Sequence, residues 1–260
     1  VNDIGASMVC HMFGCYFGMA CATGIAKKHE GHTYHSDIFA MIGSLILWVY
    51  WPSFNAAAAK PADAEHRAVL NTFFSLSGST LTVFVVSQIV DKRKRFNMAH
   101  VANATIAGGV AIEGQAKLLN RDGDHCATNT HAFQPFLSNK LGIHDTCGVN
   151  NIHGLPGILS ALFSVIVSWI YKKERFGDSE TGQAFIQLAA IGIVLAASIV
   201  SGLITGLFLR LPIFNQVRDE EHYADGDYFT ITRLNHVKVV EKTPLNGDNG
   251  AQWAEKRYPA

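Results

Sequence analysis

The amino-acid sequence predicts an all-α, polytopic membrane protein, and three observations carry that prediction. Hydrophobic residues make up 48% of the 260 positions and charged residues only 16%, where a soluble domain usually carries about 25%. Apolar runs of about 20 residues recur along the chain, the length a helix needs to cross a hydrocarbon core of about 30 Å. Between them stand short polar connectors in which basic residues concentrate: Lys27-Lys28, Lys92 to Arg95 and Lys172 to Arg175. The formal net charge is zero, which leaves no electrostatic footprint for nucleic acid.

About six hydrophobic spans follow in order. The first covers about residues 4–26 and the second about 37–59, with an aromatic end at Trp48, Tyr50, Trp51 and Phe54 that Pro52 interrupts. The third covers about 69–90 and stops at the basic run. A shorter one, 100–112, holds Ala107-Gly108-Gly109, and its 13 residues are short for a full crossing. Residues 113–134 form an atypical polar segment with no run long enough to span a bilayer. The last two spans cover about 146–171 and 184–211. These divide the chain into a membrane domain, 1–214, and a polar tail, 215–260, expected to be cytoplasmic and disordered. The chain opens on Val1 with no signal-peptide pattern, and is read as a fragment without its N-terminal part.

Charge sets an expected orientation. The dense run at Lys92 to Arg95 belongs in the cytoplasm by the positive-inside rule. Counting back, Lys27-Lys28 also falls inside and the loop 60–67 outside. The five cysteines lie mostly in apolar stretches and read as small hydrophobes rather than a disulfide framework. His29, His32 and His35 read as a solvated connector. His125, Cys126 and His131 lack metal-ligand spacing, so neither a metal nor a cofactor is expected. No pattern of enzyme chemistry is present.

The residues that carry chemistry are His11 and His153. Each is ionisable and lies in an apolar, glycine-rich stretch, which makes it a candidate functional residue at membrane depth. Ser7, His11, Gly14 and Gly18 recur at helical spacing and predict a packing stripe of small residues. Asp3, eight residues before His11, reads mainly as a cap at the membrane surface or as a carboxylate that recruits a cation. The aromatic end of the second span is either an interfacial belt or a cluster closing a pore mouth. In the fifth span Asn150 or Asn151 would cap a helix that tolerates Pro156 in its first turns, while Asp145 and His153 lack such an explanation.

The segments SMVCHMFGCYFG, SDIFAMIGSLILWVYWPSFNAA, NATIAGGVAI, LSNKLGIHDTCGVNNIHGLPGI and GLITGLFLRLPIF resemble the Rh glycoproteins of the Amt/Mep/Rh ammonium transporter family, over its C-terminal half. The resemblance implies a helical bundle of the ammonium transporter type, incomplete against the family's eleven or twelve helices. It implies a trimer, homomeric or mixed with other Rh proteins, in the lipid bilayer of the plasma membrane, with a narrow hydrophobic pore for ammonia or ammonium in each protomer. By the same resemblance His11 and His153 match the twin pore histidines and Phe54 an outer aromatic gate. Asp3 matches the acidic residue at the head of the fifth helix, and Asn55, Asp145 and Asn151 would support the pore. Two other functions remain open: a carbon dioxide channel, or a non-conducting fragment or structural subunit of an Rh trimer. Residues 113–134 stand where the family has the end of its eighth helix and a ninth. With that crossing absent, the helix of His153 is expected to enter from the wrong side to meet His11, unless the fourth span is re-entrant or the polar linker is drawn through a protein-lined cavity.

Overall fold

The computed structural model describes residues 1–23, 34–60, 62–90, 94, 96–114, 116, 143, 145, 147–170, 182–214 and 216. They lie in the first of two compact units, Val1–His222; the second, Tyr223–Ala260, falls outside the described residues, as do Lys27-Lys28, His29, His32, His125, Cys126, His131 and most of 113–134.

Apolar composition and helical spacing produce helices wherever they were expected. A π-helical turn, Ser7–Met12, runs into α1, Phe13–Ala22. Then come α2, Tyr34–Ala56, α3, Ala62–Val90, and α4, Met98–Ile112. A second π-helical turn, Asn150–Gly154, opens α5, Leu155–Ile170, and α6 is Gly182–Leu209. Four of these stretches are long and apolar enough to cross a membrane: Tyr34–Ala56, Ala62–Ile89, Asn150–Trp169 and Gly182–Leu209. Ser7–Ala22 and Met98–Ile112 are shorter apolar helices.

Three boundaries differ from the sequence reading. Pro52 does not interrupt α2, which continues to Ala56; a proline in a bilayer helix is tolerated when neighbours re-satisfy the freed carbonyl. The loop expected at 60–67 is largely the first turns of α3, which Asp63 and Glu65 favour at the positive end of the helix dipole. His35 sits in the first turn of α2 rather than in a connector.

The helices pack in two groups. α2, α3 and α4 enclose Trp51, Leu76 and Val110, with Trp48 and Ile106 against them. Hydroxyls hold α3 to α4: Ser75 donates to the Gly108 carbonyl at 2.7 Å, Ser79 to that of Ala104, and Thr80 to the Thr105 hydroxyl at 3.1 Å. Such bonds suit helices in lipid, where apolar burial does not drive association. The second group is α1, α5 and α6 around Met8, Met12, Ala161 and Ile191. Large apolar residues elsewhere on α2, α3 and α6 are exposed, including Phe39, Leu81, Ile193 and Leu207, as lipid contact requires.

The stripe predicted on α1 is shifted by one residue. Gly14 and Gly18 are exposed, and the packed series is Met8, Met12, Cys15 and Met19. Both series have the same helical spacing, and Ser7 is buried with Met8, so the packed face turns by one residue only past His11. The close approach happens on α6 instead. A Cβ on Gly202 would strike the Phe17 carbonyl oxygen and lie 2.9 Å from Ala20 Cβ; on Gly206 it would lie 2.6 Å from the Cys21 carbonyl oxygen. These glycines, four apart, let α6 seat on α1 as small residues do between membrane helices. Gly202→Val is expected to lower stability by about 2 kcal/mol through overpacking. Gly192→Val, whose Cβ would meet nothing within 4 Å, should unfold with the parent chain. Thermal unfolding of both in detergent checks this.

Candidate functional site

Two local structures with the same plan carry the two histidines. In the first, Asp3 accepts through Oδ2 from the backbone N–H of Met8 at 2.8 Å and of Val9 at 3.3 Å, and through Oδ1 from the Ser7 hydroxyl at 2.6 Å. Ala6, three residues after the aspartate, lies in the left-handed region at φ 66°. The chain then enters the π-turn, where the His11 N–H reaches back five residues to the Ala6 carbonyl at 3.3 Å. In the second, Asp145 accepts from the N–H of Val149 at 2.7 Å and of Asn150 at 2.9 Å. Gly148, again three residues on, has φ 72°, and the turn places His153 eight residues after its aspartate. Each carboxylate thus satisfies helix-start N–H groups that have no partner within the helix.

Asp145 is therefore the cap, and Asn150 and Asn151, expected to cap, lie buried inside the turn. Asn150 Oδ1 accepts from the Tyr16 hydroxyl at 3.3 Å, tying the second turn to α1. Asp3 is structural in the same sense, holding the turn that carries His11.

The structure brings the two histidines together. Their Nδ1 atoms lie 3.0 Å apart and their ring centroids 5.0 Å, with planes 12° from parallel. The expectation that a missing crossing keeps them apart is corrected by α4. Its 15 residues rise about 22 Å, short of a bilayer core. The next residue, Glu113, already touches His11, and the Gly114 N–H donates to Ser160 Oγ at 2.8 Å, partway along α5. α4 thus ends beside the histidine pair, and the path from it to α5 lies outside the described residues.

Trp51 and Glu113, which the sequence reading left out of the site, complete it. Trp51 is buried and stacks on His11 with centroids 5.6 Å apart, so this member of the aromatic cluster is no interfacial belt residue. Its indole N–H donates to Glu113 Oε1 at 2.9 Å, and the same oxygen lies 3.1 Å from His11 Nε2. Between the two Nδ1 atoms one ring donates and the other accepts, and the tautomers decide which. Asn55 is fully buried and donates through Nδ2 to the Thr72 hydroxyl at 3.1 Å. Phe54 lies on the same helix and is exposed, away from the histidine pair's contacts. Among the described residues no group of His, Cys, Asp and Glu has the makings of a metal site, and four cysteines are free.

An all-helical bundle with membrane-length apolar helices around a joined pair of histidines is an integral membrane protein of the transport class. The chain belongs to the ammonium transporter family, whose profile matches residues 1–232. Ammonium transporter Rh type A of mouse is 43% identical over 254 residues, covering 91% of this chain and 56% of the relative. Human Rh type B is 37% identical over 262 residues, covering 89% and 57%. Among solved structures, Rh50 of Nitrosomonas europaea superposes with a TM-score of 0.74 at 29% identity, covering 88% of this chain and 59% of that one. Mep2 of Candida albicans, 21% identical with a TM-score of 0.67, covers 85% and 53% and shows the same fold. The chain spans somewhat more than half the length of the curated relatives it matches. The family is one of transporters, not enzymes.

Proposed function

We propose that this chain forms part of a pathway carrying ammonia or ammonium across a membrane, with His11 and His153 as its central contacts. The observation that carries the reading is the 3.0 Å contact between the two Nδ1 atoms inside an apolar bundle. An ammonium ion must shed water to enter such surroundings, at a cost far above that for neutral ammonia. Imidazoles reduce that cost because one ring nitrogen donates and the other accepts. A neutral imidazole can also take up a proton at one ring nitrogen and give one from the other. Phe54 would act as an aromatic gate keeping bulk water out, and Asn55, Asp145 and Asn151 would support the pathway. Asp3 would hold the entrance turn and draw in a cation. The working form is a trimer, alone or with longer Rh relatives, in the plasma membrane.

The test is reconstitution of the 260-residue chain in liposomes loaded with a pH dye. An imposed ammonium gradient should alkalinise the lumen faster than in empty vesicles. Rates equal to those of empty vesicles overturn the reading for the chain alone. Co-purification with a longer relative without added flux would then point to a structural subunit. Acceleration by carbon dioxide but not by ammonium would point to a gas channel.

A further inference from the structure

We infer that Gln187 is a positioning residue for the histidine pair: its amide clamps the chain just ahead of the His11 turn onto α5, the helix that follows His153. This rests on the pathway reading above for its effect on flux. Gln187 is fully buried in the second turn of α6, an apolar helix in which an amide needs partners. Its side chain meets both backbone groups of one residue. Oε1 accepts from the Asn2 N–H at 2.8 Å, and Nε2 donates to the Asn2 carbonyl at 2.7 Å. Nε2 also donates to Ser164 Oγ at 2.7 Å, on α5. Ser164 gives its own hydroxyl proton to the Ala161 carbonyl at 2.7 Å, so its oxygen serves Gln187 as an acceptor.

The clamp acts through the residue that follows it. Asn2 precedes Asp3, whose carboxylate holds the Ser7 hydroxyl and the Met8 and Val9 N–H groups of the turn that delivers His11. The turn itself is seated by shape: a Cβ on Gly157 of α5 would lie 2.9 Å from the Ser7 carbonyl oxygen and 3.1 Å from Met12 Cβ. Such packing fixes how near the turn comes to α5 but leaves sliding along it open. Two hydrogen bonds to one residue fix direction as well as distance. The demand runs from α6, because Asn2 is half-buried and water can serve its backbone, whereas the Gln187 amide has no solvent to turn to. The Nδ1 atoms of His11 and His153 lie 3.0 Å apart. A slide of about 1 Å would take that contact beyond bonding distance.

The experiment places histidine labelled at its ring nitrogens in the full chain in detergent. NMR then reads the coupling across the Nδ1-to-Nδ1 hydrogen bond, assigned by its loss in His153→Gln. That signal exists whether or not the chain carries a substrate. The parent should show it, and Gln187→Leu, which keeps the bulk and removes the amide, should lose it. Gln187→Asn, one methylene short of the two Asn2 groups, should show it weakened severalfold. Ser79→Ala breaks a hydroxyl bond in the other helix group, controls for lost stability, and should keep the parent's coupling. Flux per folded chain should fall about tenfold in Gln187→Leu and stay at the parent's level in Ser79→Ala. No coupling in the parent, parent-like coupling in folded Gln187→Leu, or equal loss in Ser79→Ala each overturns the inference; should Gln187→Leu not fold, parent-like coupling in Gln187→Asn does so. Coupling lost in Gln187→Leu with flux kept removes the pathway through the histidines and leaves the positioning role standing. Flux lost with the coupling kept does the reverse.

Discussion

His153→Ala in the reconstituted chain is expected to lower ammonium-driven flux at least about tenfold, and His11→Ala to match it closely. The magnitude follows from what each ring supplies. A hydrogen bond to a charged group contributes about 1.5–3 kcal/mol, and each 1.36 kcal/mol on a barrier is a factor of ten in rate, which brackets the loss at roughly 10–150-fold. The rings share one contact, Nδ1 to Nδ1 at 3.0 Å, so removing either leaves the other's polar nitrogen unpaired in apolar surroundings. The double variant should therefore be little worse than the worse single one, because groups acting as a unit are not additive. His100→Ala is the matched control. That residue sits in the first turn of α4 beside the Ser87 hydroxyl at 3.2 Å, apart from the pair, and its flux should equal that of the parent. Unchanged methylammonium uptake in both single variants would sink the assignment of the histidines.

How much of this was legible before the fold is best judged residue by residue. The spans were legible because composition and run length are local properties, and all six appear as helices. The histidines were legible because an ionisable group in an apolar stretch needs a reason wherever it ends up. Glu113 and Trp51 were not, since Glu113 reads as the first residue of a polar connector and joins the site only through residues distant in sequence, Trp51 and His11. The π-turns are equally invisible in side-chain spacing, because they are set by which carbonyl each N–H reaches. Spacing alone fits Ser7, His11, Gly14 and Gly18 as well as Met8, Met12, Cys15 and Met19, so it does not decide which of the two series is packed. One signal was available and went unread. An aspartate precedes each histidine by eight residues, with a left-handed residue three after the aspartate in both copies. Aligning the segments around 3–11 and 145–153 exposes that internal repeat, the kind of symmetry on which transporter folds are built.

The repeat makes the aspartates, not the histidines, the positions where the fold is most easily broken. Asp145→Ala is expected to cost about 3 kcal/mol of stability, above the roughly 2 kcal/mol that a single lost cap removes, because two features compound. Both acceptor oxygens are in use, at 2.7 Å to the Val149 N–H and 2.9 Å to that of Asn150, and the carboxylate is buried. Alanine would leave those N–H groups without a partner where water cannot easily replace it. Asp145→Asn keeps one acceptor oxygen in place and should lose only about 1 kcal/mol. Asp3→Ala should cost less than Asp145→Ala, about 1–2 kcal/mol, because its turn is only half-buried and solvent can take over the Val9 N–H. Thermal unfolding of the three variants in detergent tests the ranking, and an Asp145→Ala chain within about 0.5 kcal/mol of the parent would refute it. The same variants separate cap from chemistry. If Asp145 acts only by holding the π-turn, Asp145→Asn must retain most of the flux at temperatures where it stays folded, since the turn still delivers His153 Nδ1 to His11. A folded Asp145→Asn chain without flux would instead give the carboxylate charge itself a part in moving the substrate.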